Sequence, residues 1–250
     1  MNIKIQRKSQ QAKGQFNGGA ILENKPIGFP QDRGLQVPYS NLFYWAHAWS
    51  DEGSLIGEHP HQGFEILTVV LEGDIVHYDN KNKSWFPLQK GDVQIIRAGS
   101  GISHAEQINP GGQVFQIWFD PDLTKTLSHE PTYNDYKNHE LPVAEKDGMT
   151  VKTIKGEGSP LKMVTPGVSI FEILLKDGIH HFDLNEQNLA SLYLISGYLK
   201  LDEHLLEKDD FAIVSGETNL VFEAETPCSI LIIQSPEKIY YTPYMELYRG

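Results

Sequence analysis

The chain has 250 residues, 40% of them hydrophobic and 22% charged, and a formal net charge of −12 at pH 7. That length suits one large β domain or two of about 100–150 residues, and an acidic chain without a basic stripe argues against direct binding to DNA or RNA phosphates. Cys228 is the only cysteine, which excludes an internal disulfide and a cysteine-based zinc site. No apolar run approaches the ~18 residues of a membrane span, and Met1 to Ser9 lacks a signal-peptide core. The expectation is a cytoplasmic protein with no membrane partner.

Residues 1–40 are rich in Gly, Gln, Asn and Pro. Ile3 and Ile5 alternate with polar neighbours, which predicts one short strand; Asn17-Gly18-Gly19 and Pro30-Gln31-Asp32-Arg33-Gly34 read as turns. A polar arm wrapping the first domain is expected. Asn41 to Ser50 is dense in aromatics and fits a strand. His47 within it reads as a structural histidine.

Short strand-like runs follow: Phe64 to Leu71, Asp74 to Tyr78, Val93 to Ile96, Val114 to Phe119. Glu72-Gly73, Asp79 to Lys83, Gly91-Asp92 and Ala98 to Gly101 punctuate them as turns. Strands so short and turns so regular predict an all-β barrel or double-sheet jelly roll. Asp120 to Pro142 carries three prolines and many polar residues, and reads as an inter-domain connection. From Thr150 the pattern of strand, Gly turn, strand, Asp turn and strand returns, which predicts a duplicated barrel. The expected boundaries are 1–130 for the first domain, 131–142 for the linker and 143–250 for the second. Tyr240 to Tyr248 is aromatic and is expected to pack on the first domain or at a dimer contact.

The chemistry concentrates between Gly53 and Glu106. His59 and His61, and His104 and Glu106, are two pairs of the form X-any-X. Residues i and i+2 of a strand share a face, so both pairs can converge inside one barrel. Three neutral imidazoles and one carboxylate suit a single divalent first-row metal such as Fe, Mn, Ni, Cu or Zn, with open positions for substrate. Glu65 has the same parity as His59 and His61 and competes with Glu106 for the fourth place, or orients an imidazole. His77 reads as a strand-surface residue or a neighbour of the ligands. Gln94 and Gln116 read as buried hydrogen-bonding residues, and Tyr44 and Trp118 as core aromatics. Matching the turns of the two halves sets Asp183 and Asn185 against His59 and His61, and Phe222 and Ala224 against His104 and Glu106. The second half is therefore expected to lack the site, with His180 and His181 facing opposite ways.

The runs His59-Pro60-His61-Gln62-Gly63-Phe64-Glu65, His77-Tyr78-Asp79, Gly91-Asp92-Val93-Gln94 and Ala98 to Glu106 resemble the pirin family of the cupin superfamily. The resemblance covers the N-terminal half closely and the C-terminal half as a degenerate second cupin. It implies two tandem cupin β-barrels with few short helices. It also implies metal binding, Fe(II) foremost, by His59, His61, His104 and Glu106, and thereby favours Glu106 over Glu65. It implies either of two functions. One is a quercetin 2,3-dioxygenase-type enzyme taking a flavonol-like aromatic substrate and O2, with Glu106 as catalytic base. The other is a redox-responsive regulator that binds a protein partner without turnover.

Overall fold

The computed structural model describes residues 2–247; Met1, Tyr248 and the last two residues lie outside the described range. The first strands are β1 (Asn2–Gln6), β2 (Ala12–Phe16), β3 (Ile21–Ile27), β4 (Leu42–Ser50) and β5 (Ser54–His61). Then come β6 (Glu65–Glu72), β7 (Asp74–Asp79), β8 (Ser84–Gln89), β9 (Val93–Arg97), β10 (Ile102–Ile108) and β11 (Gly112–Phe119). A short helix α1 (Leu123–Thr126) precedes β12 (Thr132–Tyr136), β13 (Val143–Lys146), β14 (Met149–Lys155) and β15 (Ser169–Leu175). The chain continues through β16 (Gly178–Asp183), β17 (Asn188–Ser196), β18 (Tyr198–Leu201) and β19 (His204–Glu207). It ends with β20 (Phe211–Ser215), β21 (Asn219–Ala224), β22 (Cys228–Pro236) and α2 (Tyr244–Leu247).

These strands form two compact units of matching topology. The unit that carries the histidine motifs holds residues 11–140, 163–165 and 240–250. Its sheets run β12-β9-β6-β11-β4-β3-β2 and β5-β10-β7-β8. The other unit holds residues 1–10, 141–162 and 166–239, and its sheets run β1-β20-β17-β22-β15-β14-β13 and β16-β21-β18-β19. Every strand of one list has a counterpart at the same place in the other, which makes the chain an all-β bicupin. All pairings given for the described residues are antiparallel, and the nearly continuous apolar runs of β6, β17 and β22 are buried on both faces, with separate buried clusters in each unit.

Two elements fall elsewhere than the expected boundaries. Residues 131–142 are not a plain connection, because β12 pairs with β9 from Thr132↔Arg97 to Tyr136↔Val93. The polar Thr-Tyr-Asn-Asp-Tyr sequence suits an edge strand, half in water. The expected wrapping arm is instead three strands: β2 and β3 extend the sheet of the histidine-bearing unit, whereas β1 pairs with β20 and belongs to the other.

Candidate metal centre

The geometry of the centre begins with an irregularity in β5. Ser54 and Ile56 are inward on this strand, and so are His59 and His61, while Leu55, Glu58 and Pro60 are exposed. Strict alternation cannot join those two sets, because 56 and 59 differ in parity. The register against β10 shows how they are joined. His104 lies opposite His59, but Glu106 lies opposite Ile56, so three residue steps on β5 face two on β10. One extra residue around Gly57 and Glu58 makes a bulge that swaps the inward face. The bulge turns both histidines toward His104.

The result is a tight cluster. The ring centroids of His59 and His61 are 4.8 Å apart, those of His59 and His104 4.5 Å, and those of His61 and His104 4.7 Å. One nitrogen from each of the three lies within 4.8 Å of the others. His59 donates Nδ1–H to the Gly57 carbonyl at 2.9 Å, which leaves Nε2 as its lone-pair nitrogen. Among the described residues, His61 Nε2 and both nitrogens of His104 have no hydrogen-bond partner. Unsatisfied buried polar atoms are rare in folded proteins, since each costs about 1–3 kcal/mol. Their convergence is the donor set a divalent ion would satisfy.

Glu106 stands beside the cluster, at the next inward position of β10 after His104. Its Oε2 accepts from Gln116 Nε2 at 2.7 Å, and its Oε1 has no hydrogen-bond partner and stands 4.0 Å from His104 Nδ1. A second grouping of ligand atoms within 4.8 Å joins Glu106 to His104 and His77. Of the two readings of His77, the strand-surface one fails and the neighbour of the ligands holds: it is fully buried, with its ring 5.4 Å from that of His104. It lies opposite Glu106 in the β7–β10 register and stacks on Tyr133 at 4.8 Å.

Glu65 is engaged elsewhere. Its carboxylate accepts from Val164 N at 2.8 Å, Thr165 N at 2.7 Å and Thr165 Oγ1 at 2.5 Å, with Arg97 Nε at 3.7 Å. The parity that related it to His59 fails because β5 ends at His61 and β6 starts at Glu65. Gly63, at a φ of 82°, turns the chain between them.

Electrostatics keep the histidines in the metal-binding form. Burial, reinforced by His104 and His59, holds the His61 imidazole down at about 3. Burial, with His59 and His77 adding to it and Asp79 opposing, holds His104 at about 2. Burial also lowers His77, against the pull of Glu106 and Asp79. Each ring is thus neutral near pH 7, with a lone pair to give.

A cavity of about 330 Å³ opens over this cluster. Its wall is apolar apart from a few side chains, among them Glu106, Gln116, Tyr44 and Glu23. Trp118 and Tyr44, expected in the core, are part of that wall. Trp118 packs edge-on against His61 at 4.7 Å, and its Nε1 donates to Gln116 Oε1 at 3.3 Å. The alternation of Val114, Gln116 and Trp118 on one face of β11 was the available signal for this wall. Gln94 by contrast donates toward Asp135 at 3.2 Å. His47 is buried beside Phe115 and 3.3 Å from Gln113 Oε1, a structural histidine as expected.

In the other unit the strand register corrects the turn-based match. Phe222 stands opposite His180, as His104 stands opposite His59. His180, not Asp183, therefore holds the place of His59, and Phe182 that of His61. His180 is buried with Nδ1 and Nε2 at 3.0 and 2.9 Å from the carbonyls of Asp147 and Lys176, while His181 is exposed. Both nitrogens of His180 are occupied, and its neighbours Phe222 and Ala224 offer no ligand.

Comparison with known proteins agrees with this division. The family model for Pirin matches residues 39–119, all inside the histidine-bearing unit. The chain is 33% identical to Pirin-1 of Arabidopsis thaliana over 174 residues, which is 66% of this chain and 57% of that protein. It spans 64% of a pirin-like protein of Solanum lycopersicum, so these plant relatives are longer than the part matched. It is 26% identical to a putative quercetin 2,3-dioxygenase of Zymomonas mobilis over 76% of this chain and 82% of that one. The fold superposes on the nickel(II) complex of the Escherichia coli pirin YhhW with a TM-score of 0.79 at 21% identity, covering 95% of this chain and 100% of that one. Residues 39–119 of this chain, inside the histidine-bearing unit, match the Pirin family model, and the fold is that of the pirin structure.

Proposed function

We propose that the protein is a metal-dependent dioxygenase acting on a flavonol-like aromatic compound, with His59, His61, His104 and Glu106 as the ligands of one divalent ion, Fe(II) foremost. The observation that carries this reading is the apolar cavity of about 330 Å³ that opens over three converging imidazoles and is lined by the Glu106 carboxylate. A closed structural metal site has no use for such a cavity. The name of the Zymomonas relative supports the dioxygenase chemistry, and the nickel(II) complex of the Escherichia coli pirin supports a divalent ion.

When bound, the ion supplies Lewis-acid polarisation of a substrate oxygen and redox access to O2. The remaining work belongs to the chain. The wall formed by Trp118, Ile75, Ile108 and Val114 excludes water and takes a flat aromatic ring. Trp118 limits how the ring can approach His61. Glu106 has one oxygen held by Gln116 and the other unpaired, so Oε1 is the atom placed to take the proton of the substrate's 3-hydroxyl. Glu65 cannot serve as that base, because its oxygens are already bound by Val164 and Thr165.

Iron-loaded protein given quercetin is expected to consume O2 and release carbon monoxide. His59→Ala should abolish metal binding and turnover. Glu106→Gln should lower turnover by about 10²–10⁴-fold, the usual loss of a general base. Absence of metal-dependent turnover on any flavonol overturns the reading.

A further inference from the structure

The cavity is polar at two places. One is the histidine end, with Glu106 and Gln116. The other is Glu23 with Tyr44, and nothing in the metal chemistry calls for it. Strand register gives the separation. Glu23 on β3 lies opposite Ala48 on β4, and Ala48 lies opposite Val114 on β11, the strand that also carries Gln116. Two strand spacings put Glu23 about 10 Å across the sheet from that strand. Ala48 between them has only a methyl side chain, so this part of the cavity floor stays low.

Glu23 is also seated with care. It is 6% exposed, yet it is among the cavity-lining residues. Its cross-strand partner on β2 is Gly14, where a Cβ would collide with Glu23 Oε2 and with the end of Lys25. Tyr44 donates its hydroxyl to Glu23 Oε1 at 3.0 Å. Lys25 Nζ stands 3.6 Å from Oε2 and is shared with Asp32 at 3.1 Å. Burial raises the Glu23 carboxyl above its usual range, with Lys25 and Tyr44 opposing. A carboxylate has about four lone-pair sites, and Tyr44 and Lys25 leave acceptor capacity over. A buried carboxylate gains from one more donor.

We propose that Glu23 is the specificity-determining residue of this cavity, accepting a hydrogen bond from a phenolic hydroxyl on the part of the aromatic substrate that reaches the Glu23 and Tyr44 side of the cavity. Gly14 acts as a positioning residue by leaving room for Oε2. The substrate class is then narrower than a flat metal-chelating aromatic: it carries a second hydroxyl. This rests on the flavonol reading above and deepens it.

The test compares 3-hydroxyflavone, which has only the metal-directed hydroxyl, with quercetin, which adds ring hydroxyls. Both are titrated by calorimetry into the Ni(II)-loaded full chain under argon, so that binding is read without turnover. Wild-type protein is expected to prefer quercetin by about tenfold or more, the worth of one hydrogen bond to a charged acceptor. Glu23→Met should bring the ratio of the two dissociation constants close to one. Gly14→Ala, which keeps Glu23 but crowds it, should move the ratio the same way. A wild-type preference that survives both substitutions overturns the proposal while leaving the flavonol reading intact. Failure of both compounds to bind wild-type protein overturns the flavonol reading, and this inference with it.

Discussion

The Gln116 amide donates to Glu106 Oε2 at 2.7 Å and its carbonyl accepts from Trp118 Nε1 at 3.3 Å, so one neutral side chain orients both a candidate ligand and a wall of the cavity. Gln116→Leu would leave a buried carboxylate oxygen unpaired and free to turn. Metal affinity is expected to fall by about 10–100-fold, the usual effect of removing a residue that orients a ligand, and competition against a chelator measures it. A second residue carries a pH dependence unrelated to the metal. Burial pushes the Asp120 carboxyl up to about 6, against the backbone N–H of Tyr244 that donates to it at 2.6 Å. The folded state therefore favours the protonated acid more than the unfolded chain does. That contribution is fully present below the unfolded value of 3.8 and is lost as pH rises through about 6. Wild-type Tm should lose ground against Asp120→Asn between about pH 4 and pH 7, and a scanning-calorimetry series across that range checks the sign.

At the scale of the element, the bulge of β5 lets Ser54, Ile56, His59 and His61 all face inward although 56 and 59 differ in parity. Deleting Glu58 removes the extra residue, and strict alternation from Ser54 then still carries His59 and His61 inward. Such a variant should keep its β circular dichroism and, like the wild type, bind about one ion per chain by elemental analysis. The X-any-X spacing of the histidines was legible because period two is intrinsic to a strand. The bulge was not, since nothing local to Gly57-Glu58 records the register of β10. The same limit explains Glu65: parity counted from His61 assumes an unbroken strand, and Gly63 breaks it. The duplicated order of strands was legible from turns and alternation. The pairing of β12 and β1 was not: the polar β12 reads like a linker until its partner is known, and the strand that Ile3 and Ile5 predict does not name its own. Counting from turns also misplaced the counterpart of His59, because the pairing in the second unit runs through His180.

For the molecule as a whole, metal and fold are linked thermodynamically. An ion that binds only the folded chain stabilises it by about 2.7 kcal/mol at a hundredfold excess over its Kd. Ni(II) or Fe(II) should raise Tm accordingly, and His104→Ala should abolish the rise in a thermal-shift titration. A net charge of −12 helps gather cations and keeps copies apart. The sharing of chain segments between the two units has a further consequence, in time. Asn2 pairs with Ser215, and Tyr244 packs on Phe43 and Phe64 at 5.3 and 5.0 Å. At synthesis rates of ~5–20 residues per second, β1 waits on the order of ten to forty seconds for β20 to exist. The histidine-bearing unit likewise lacks Tyr244 until the strands of the other unit have been made. Each unit thus waits for a segment made after the bulk of the other. β1 is made well before β20 and stays without its partner strand in between, which makes those seconds the interval in which a chaperone has most to protect.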